Sequence, residues 1–231
     1  MPLSLRAVSL DLDNTLWDTP PVLVRAEAAL EAWLAEHAPR ITEGFDPKEF
    51  RRLRAELAGR EPGRAHDVTW LRTETLRHAA RAAGYPAALA DRAFEVFWRE
   101  RNTLELYAEV SDALARLAAR VPVYALTNGN ACVREVGIGR YFAGAIDAPS
   151  AGAAKPDREI YRQLVDLAAM PAGAILHVGD DAIADVHGAR AAGLQAAWMN
   201  RTGAEWPVDL PLPDHEVADL TALADLVESR T

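Results

Sequence analysis

The chain has 231 residues, half of them hydrophobic, which suffices for one large domain or one domain with an insertion. Its formal net charge of -9 argues against a nucleic-acid backbone as the main partner. We expect no membrane span and no signal peptide, because no apolar run is long enough and carboxylates interrupt the N-terminal segment early. A single cysteine, Cys132, excludes an intrachain disulfide and is consistent with a cytoplasmic location.

The first apolar stretch ends in two aspartates. Residues 5–10 predict a short buried strand, and Asp11 and Asp13 follow it in the segment SLDLDNTLWD. Two carboxylates so close together repel each other, so they need a compensating cation or a chemical role. Taken alone, they are also compatible with a helix N-cap and a turn residue.

A block with helical periodicity occupies residues 17–108. Helices are predicted in PVLVRAEAALEAWLAEH, DPKEFRRLRAELAG, DVTWLRTETLRHAARAAG and PAALADRAFEVFWRERNTLELY. Asp46 and Asp67 are the expected N-caps of the second and third helices, and Gly59 and Gly84 are expected past their ends. We therefore predict an all-helical domain inserted after the first strand, in the position of a cap.

Strands and helices alternate in the remaining chain. Strands are predicted at VPVYALT, AGAIDA, AILHVGD and QAAWMN, with helices at VSDALARLAAR, DREIYRQLVDLAAM and ADVHGARAAG and a last helix after a Pro-rich loop. This alternation favours a parallel sheet with helices on both faces. The expected fold class is α/β, with a Rossmann-like core of residues 1–16 and 109–231 and a helical cap of residues 17–108.

Polar residues follow three of the predicted strands, at the sheet edge where open parallel sheets bind ligands. These residues are Asp11 and Asp13 after the first strand, Thr127 and Asn128 after the second, and Asp180, Asp181 and Asp185 after a later one, with Lys155 before a helix begun at Pro156. Clustered carboxylates beside one lysine favour a hard divalent cation with oxygen ligands. Mg²⁺ is the usual ion where phosphate also binds.

This set of residues, in this order, resembles the haloacid dehalogenase-like (HAD) phosphatase superfamily over nearly the whole chain. The resemblance implies an aspartyl-phosphate mechanism with Asp11 as nucleophile and Asp13 as general acid/base. It further implies phosphate binding by Thr127, Asn128 and Lys155, metal binding by Asp11, Asp13 and Asp180, and a supporting role for Asp185. The expected cofactor is Mg²⁺ and the expected partner is a small-molecule phosphate ester. None of these residues points to a particular oligomeric state.

Simpler interpretations exist for single motifs. Thr127 and Asn128 are also compatible with the plain end of a strand, and Lys155 with a solvated surface lysine. Asp185 is also compatible with an ordinary acid on a helix face. All the motifs occur together at the ends of predicted elements, and this joint occurrence favours the site.

Longer segments resemble a narrower group. DLDNTLWDTPPVLVRAEAAL, HDVTWLR, ALTNGNA and ILHVGDDAIADVHGARAAGLQAAWMNR are similar to bacterial phosphatases of this superfamily that act on flavin mononucleotide and on the phosphorylated ribitylamino-uracil of riboflavin synthesis. Because such substrates carry planar rings, Trp17, His66, Trp70 and Arg72 are candidate substrate contacts in the cap. The alternative for Trp70 is packing in the core of a helical bundle.

Three other functions are alternatives to the phosphatase. The first is hydrolysis at carbon, but the resemblance implies that the dehalogenases of the superfamily lack an acid at the position of Asp13 and need no metal. The second is a signalling receiver that stores a phosphoryl group on Asp11, although receivers are shorter and lack a cap insertion. The third is an inactive binding protein, although no motif position has been lost.

Overall fold

The structure, a computed structural model, describes residues 4–230. The first three residues and Thr231, which the prediction includes in the α/β core, lie outside the described residues. The chain divides into two compact units. The α/β unit consists of the chain up to Asp18 together with the chain from Glu105 onward, and the helical unit is Thr19–Leu104.

The helical unit contains five α-helices within the described residues. They are α1 (Thr19–His37), α2 (Pro39–Gly44), α3 (Pro47–Arg60), α4 (Val68–Ala82) and α5 (Leu89–Asn102), with a 3₁₀ turn at Pro62–Arg64. The four predicted helices are confirmed, and α2 is an addition. The prediction was wrong at two ends: Gly59 lies inside α3, and α5 ends at Asn102 rather than near Tyr107.

The helix starts follow the predicted capping. Asp46 accepts hydrogen bonds from the backbone N–H groups of Lys48 and Glu49, and Asp67 accepts one from Trp70. These bonds satisfy N–H groups that have no partner inside the helix. Beyond α4, Gly84 takes the positive φ of 74° that favours glycine after a helix end.

The core of the helical unit is formed by α1, α2, α4 and α5. Their buried apolar side chains recur at helical spacing and form one cluster: Ala26, Leu30, Leu34, Ala38, Ile41, Leu76, Ala79, Ala80, Ala90, Ala93 and Phe97. Helix α3 has no buried residue and lies at the outside of the bundle.

The α/β unit alternates strands and helices from β1 onward. Its elements are β1 (Ala7–Leu10), α6 (Val110–Ala118), β2 (Val123–Thr127), β3 (Gly144–Asp147), α7 (Ala148–Ala151), α8 (Arg158–Ala168), β4 (Ile175–Gly179), α9 (Gly188–Ala191), β5 (Gln195–Met199), β6 (His215–Val217) and α10 (Leu220–Glu228). Single 3₁₀ turns occur at Gly139–Tyr141 and Ala172–Ala174, and a π-helical turn at Ala182–His187. The five predicted strands are confirmed, and β6 is an additional strand in the segment predicted as a Pro-rich loop.

The strands form one parallel six-stranded sheet in the order β3-β2-β1-β4-β5-β6. Every residue of β1, β2 and β4 is buried, as expected for central strands covered on both faces. Since β2 and β3 lie on one side of β1 and β4 to β6 on the other, the direction of the strand order reverses at β1. The carboxyl end of β1 is therefore the place where this fold opens a crevice for ligands.

The helices show no membrane-spanning candidate. Among residues 4–230, no helix combines the length and the apolar character needed to cross a bilayer.

Candidate active site

Three loops bring charged side chains to the carboxyl end of β1. Asp11 directly follows β1, and its N–H donates to the carbonyl of Val178 (2.8 Å), which continues the pairing with β4. Asp180 directly follows β4, and Lys155 lies between β3 and α8. Residues more than 140 positions apart in the chain therefore meet because adjacent parallel strands end at one edge.

The centre of the site is a buried ionic cluster. The Lys155 ammonium donates to Asp11 Oδ1 and to Asp185 Oδ1, both at 2.6 Å. Only 2% of the Lys155 side chain is exposed, with 10% for Asp11 and 2% for Asp185. Charged groups so removed from water persist only when they are paired and hydrogen-bonded. The cluster is held in place by these short bonds.

Asp185 is fixed from several directions. Its Oδ1 also lies 3.1 Å from Nε2 of the buried His177, and its Oδ2 accepts the Asp181 N–H at 3.0 Å. A Cβ at Gly179 would lie 2.2 Å from the Asp185 carboxylate, so only glycine leaves room for that side chain. Asp185 therefore has a structural task, which is to hold Lys155 and the end of β4 together.

The π-helical turn supplies Asp185. Asp181 begins this turn and accepts hydrogen bonds from the N–H groups of Ile183 and Ala184, which is the role of a helix N-cap. The hydroxyl of Tyr161 donates to the carbonyl of Ala184. A π-helical turn inside a helix often marks a functional site, and here it coincides with the acid that contacts Lys155.

The surroundings shift the pKa values of the carboxylates in this cluster in different directions. Burial, together with repulsion from Asp185, raises the pKa of Asp11 to about 8 despite the nearby Lys155. Burial also opposes ionisation of Asp185, but Lys155 and His177 outweigh it and hold the pKa of Asp185 below its usual range. Burial and repulsion from Asp185 raise the pKa of Asp180 to about 6. The site therefore has more negative charge than Lys155 can balance.

The carboxylates of this cluster form a candidate site for a cation. One carboxylate oxygen from each of Asp11, Asp180 and Asp185 lies within 4.8 Å of the others. Three carboxylates beside one ammonium leave two excess negative charges when all are ionised. An all-oxygen donor set with this charge fits a hard divalent cation such as Mg²⁺.

Thr127 and Asn128 lie where β2 ends. The Thr127 Oγ1 accepts the N–H of Gly129 at 3.0 Å, which leaves its own O–H proton for another acceptor. The Asn128 side chain makes two bonds to the backbone of Lys155: Nδ2 donates to the carbonyl (2.9 Å) and Oδ1 accepts the N–H (2.7 Å). Asn128 thus ties the Lys155 loop to β2.

Asp13 lies on a tight turn after β1. It is half-buried, and its Oδ1 accepts the indole N–H of Trp17 at 2.9 Å. The repulsion that raises the pKa of Asp11 includes a contribution from Asp13, so both carboxylates act within one electrostatic site.

Comparison with known proteins agrees with this geometry. The sequence model of the haloacid dehalogenase-like hydrolases matches residues 5–193. The chain belongs to this family. It is therefore an enzyme of the hydrolase class, and the parallel sheet described above is the HAD fold.

Relatives of two activities are similar to this HAD chain. The 5-amino-6-(5-phospho-D-ribitylamino)uracil phosphatase YigB of Escherichia coli (strain K12) is 33% identical, and the match covers 96% of both chains. The (S)-2-haloacid dehalogenase of Pseudomonas sp. (strain YL) is 26% identical over 97% of this chain and 95% of the relative. A crystal structure of a 2-haloacid dehalogenase from Pseudomonas syringae pv. Tomato DC3000 is 39% identical, covers 98% of this chain and 99% of that one, and has a TM-score of 0.93.

The four candidate substrate contacts of the predicted cap have different surroundings in the structure. Trp17 belongs to the α/β unit and is fully buried, so its ring offers no face to a substrate, in contrast to the prediction. His66 and Trp70 are half-buried in the helical unit, and the Arg64 guanidinium lies 5.1 Å from the Trp70 ring centre. Trp70 is not part of the apolar cluster described above.

Arg72 is engaged inside the helical unit. Its guanidinium donates to Glu27 at 2.7 Å and lies 3.6 Å from the centre of the Phe97 ring. Arg54 approaches the same Glu27 carboxylate at 3.7 Å. Glu27, Arg54 and Arg72 border a cavity of about 160 Å³. Apolar side chains also line it: Leu30, Leu34, Phe45, Phe50 and Leu76.

Two buried residues that hold this HAD site in place were not predicted from the sequence. Ser9 and His177 are paired across β1 and β4, and the Ser9 Oγ lies 3.0 Å from Nδ1 of His177. Burial lowers the pKa of His177 and favours its neutral form. The available signal was a polar residue inside each of two apolar strands, but their pairing is visible only once the strand order is known.

Proposed function

We propose that this HAD hydrolase is a Mg²⁺-dependent phosphomonoesterase that acts on a small metabolite through an aspartyl phosphate on Asp11. The observation that carries the proposal is the cluster in which Lys155 donates to Asp11 while Asp11 and Asp180 face each other across a few ångströms. The cluster combines a carboxylate that can act as nucleophile, an ammonium group that can bind phosphate and an excess of negative charge that suits a metal ion.

Asp11 and Asp180 are the carboxylates that would hold the ion, since Asp185 already contacts Lys155, His177 and the Asp181 N–H. The family resemblance adds the main-chain carbonyl of Asp13 as a ligand. When bound, Mg²⁺ would offset the repulsion between Asp11 and the phosphate and polarise the phosphorus–oxygen bonds.

In the first step an oxygen of Asp11 attacks phosphorus while the bond from phosphorus to the ester oxygen breaks. Asp13 gives its proton to the departing oxygen, so an alcohol leaves. Lys155 and the free O–H of Thr127 hold the phosphoryl oxygens on which charge accumulates.

In the second step the Asp13 carboxylate takes a proton from a water molecule that attacks the phosphorus of the aspartyl phosphate. The bond between phosphorus and Asp11 breaks, inorganic phosphate leaves, and the Asp11 carboxylate is restored. Asn128 contributes by holding the Lys155 backbone through both steps.

For the substrate we propose a riboflavin-pathway ester, either the ribitylamino-uracil phosphate or flavin mononucleotide. The proposal is supported by 33% identity to the YigB phosphatase over 96% of both chains and by the longer segments quoted above. The helical unit would act as a cap that selects the leaving group, with Trp70, His66 and Arg72 as the residues to examine first.

A second candidate is hydrolysis of a carbon–halogen bond. It is favoured by the 39% identity and TM-score of 0.93 to the Pseudomonas syringae 2-haloacid dehalogenase structure. In that reaction Asp11 would attack carbon, halide would leave, and water would then hydrolyse the ester on Asp11. Asp13 and the cation site formed by Asp11 and Asp180 have no task in this scheme, so we rank it second.

The test is product release from a panel of substrates by the full chain, with Mg²⁺ and with a chelator. The panel contains flavin mononucleotide, the ribitylamino-uracil phosphate, nucleoside monophosphates, sugar phosphates and 2-chloropropionate. Phosphate and chloride are both measured, and Asp11→Asn is the control for contaminating activity.

We expect metal-dependent phosphate release that is absent in Asp11→Asn, with the two riboflavin-pathway esters preferred. Broad activity on all esters would support the proposed phosphatase function but contradict the proposed substrate. Chloride release that is insensitive to the chelator, without phosphate release, would overturn the proposal in favour of the second candidate.

A further inference from the structure

Trp17 forms a specific bond to the residue that would move the proton. Its indole Nε1 donates to Asp13 Oδ1 at 2.9 Å, and the side chain of Trp17 is fully buried. A buried indole N–H needs an acceptor, and here the acceptor is a carboxylate of the site rather than a backbone carbonyl. The bond therefore links the packing of Trp17 to the position of Asp13.

The turn between Asp13 and Trp17 brings the two side chains within hydrogen-bond distance. Asn14 has a φ of 57°, and the N–H groups of Thr15 and Leu16 both return to the carbonyl of Leu12, at 3.3 and 2.8 Å. This folding brings position 17 back beside position 13, and the backbones of Asp13 and Trp17 form an isolated bridge. A left-handed residue in the turn gives the chain the reversal it needs.

The turn is also anchored to the rest of the α/β unit. Arg201 donates twice to the carbonyl of Thr15, at 2.8 and 3.1 Å, and once to Glu109 at 2.7 Å. The Tyr107 N–H donates to the carbonyl of Leu16 at 3.0 Å. Trp17 therefore has a fixed position from which to direct the Asp13 side chain.

We propose that Trp17 is a positioning residue that orients the Asp13 carboxyl group for proton transfer. This inference rests on the proposed phosphatase function. The indole bond fixes the rotamer of the Asp13 side chain, and with it the direction in which the carboxyl group meets the leaving oxygen. Without the indole bond the side chain samples other rotamers, and the acid is delivered to the leaving oxygen less often.

The test uses Trp17→Phe, which keeps an aromatic ring and removes the N–H donor. Two substrates are compared: 4-nitrophenyl phosphate, whose leaving group needs little protonation, and the alkyl ester of the panel that the wild-type enzyme hydrolyses fastest. Since kcat/KM reports the steps up to formation of the aspartyl phosphate, it isolates the proton donation by Asp13.

We expect kcat/KM for the alkyl ester to fall about tenfold or more, while kcat/KM for the aryl ester changes less than about threefold. In the aryl reaction kcat falls and a burst of nitrophenol appears, because hydrolysis of the aspartyl phosphate still needs Asp13 as base. The matched control is Trp206→Phe, which removes an indole N–H that donates to the Leu210 carbonyl in the same unit. It should leave the ratio of the two kcat/KM values unchanged.

Equal losses for both esters, or no loss for either, would overturn the positioning role. A wild-type enzyme without metal-dependent phosphatase activity would instead overturn the proposed function, so the two failures are distinguishable. If Trp17→Phe does not fold, 3-benzothienylalanine is placed at position 17, because it replaces the N–H by sulfur and keeps the shape of indole.

Discussion

The Lys155 ion pairs of the α/β unit and the Arg52–Glu56 pair of the helical unit lie in opposite surroundings. In the α/β unit Lys155 and Asp185 have 2% of their side chains exposed, whereas Arg52 and Glu56 on α3 of the helical unit have 60% and 39% exposed. Exposed pairs contribute little to stability, and buried pairs have a large desolvation cost that their attraction only partly offsets. Folding alone therefore does not explain why Lys155 and its carboxylates lie at the end of β1. Their place is explained by chemistry.

The largest expected effect is on activity, from Asp11→Asn. Removing the proposed nucleophile should lower kcat by at least about 10³-fold on the preferred ester. The same change removes one of the repelling carboxylates. The folded state raises the pKa of Asp11, so above its unfolded value the ionised group destabilises the fold. The Tm in chelator should therefore equal or exceed that of the wild type.

This outcome is checked by kinetics and thermal unfolding of the same preparation. A variant that loses activity together with a clearly lower Tm would show that Asp11 supports the fold and would contradict the destabilising effect expected of its buried charge.

Lys155→Met should have the largest effect on stability. Methionine keeps the length of the side chain but leaves Asp11 and Asp185 buried without their cation. Loss of one partner from a buried ionic cluster costs about 3–5 kcal/mol in the free energy of unfolding. Urea unfolding in chelator measures this loss.

The matched control uses the other lysine of the chain. Lys48 is exposed on α3, and Lys48→Met should change the free energy of unfolding by less than about 0.5 kcal/mol. Similar losses in both variants would remove the distinction between buried and exposed charges.

Two glycine substitutions should change the free energy of unfolding in opposite directions. Gly179→Ala places a Cβ 2.2 Å from Asp185, which Lys155 and His177 keep from moving, so we expect a loss of about 1–3 kcal/mol in stability. Gly59→Ala lies inside α3, and apart from adjacent residues and the backbone of its own helix no atom lies within 4 Å of the added methyl group, so it should stabilise the fold by up to about 1 kcal/mol.

Both values come from chemical denaturation, and kcat/KM is measured in parallel. Gly179→Ala should lose activity and Gly59→Ala should keep it. A neutral Gly179→Ala would mean that Asp185 has room to shift.

The smallest expected effect is that of Arg52→Gln. The Arg52–Glu56 pair lies on the surface of α3, where water and salt screen it. The free energy of unfolding should change by less than about 0.5 kcal/mol, and less still at high salt. A loss above about 1 kcal/mol would indicate that the helical unit relies on its surface pairs more than exposure suggests.

Much of the fold follows from the sequence because its signals are local. Strands β1 and β2 are apolar runs, and Asp46 and Asp67 cap helices that begin at the next residue. Strand β6 is only His215–Val217 and has no apolar run, and the six-residue α2 has one buried residue, Ile41. Both are formed by tertiary contacts, which local patterns do not report.

The candidate site shows the same difference between local signals, which the sequence reports, and tertiary contacts, which it does not. The acids and Lys155 were found because they follow strands or begin helices. The bond from Trp17 to Asp13 and the pair of Ser9 with His177 depend on a turn geometry and on a strand register. The sequence predicts a substrate contact at Trp17 because aromatic rings near a site often bind planar ligands, whereas packing buries this ring completely.

The central claim is that Asp11 carries the phosphoryl group during turnover. The most direct measurement is an acid quench of the enzyme during steady-state hydrolysis of its preferred ester, followed by borohydride reduction, which converts an aspartyl phosphate to homoserine, and peptide mass mapping. The account predicts homoserine at position 11, dependent on ester and Mg²⁺ and absent from the reaction without ester. Turnover without modification at position 11, or modification of a different aspartate, would contradict it.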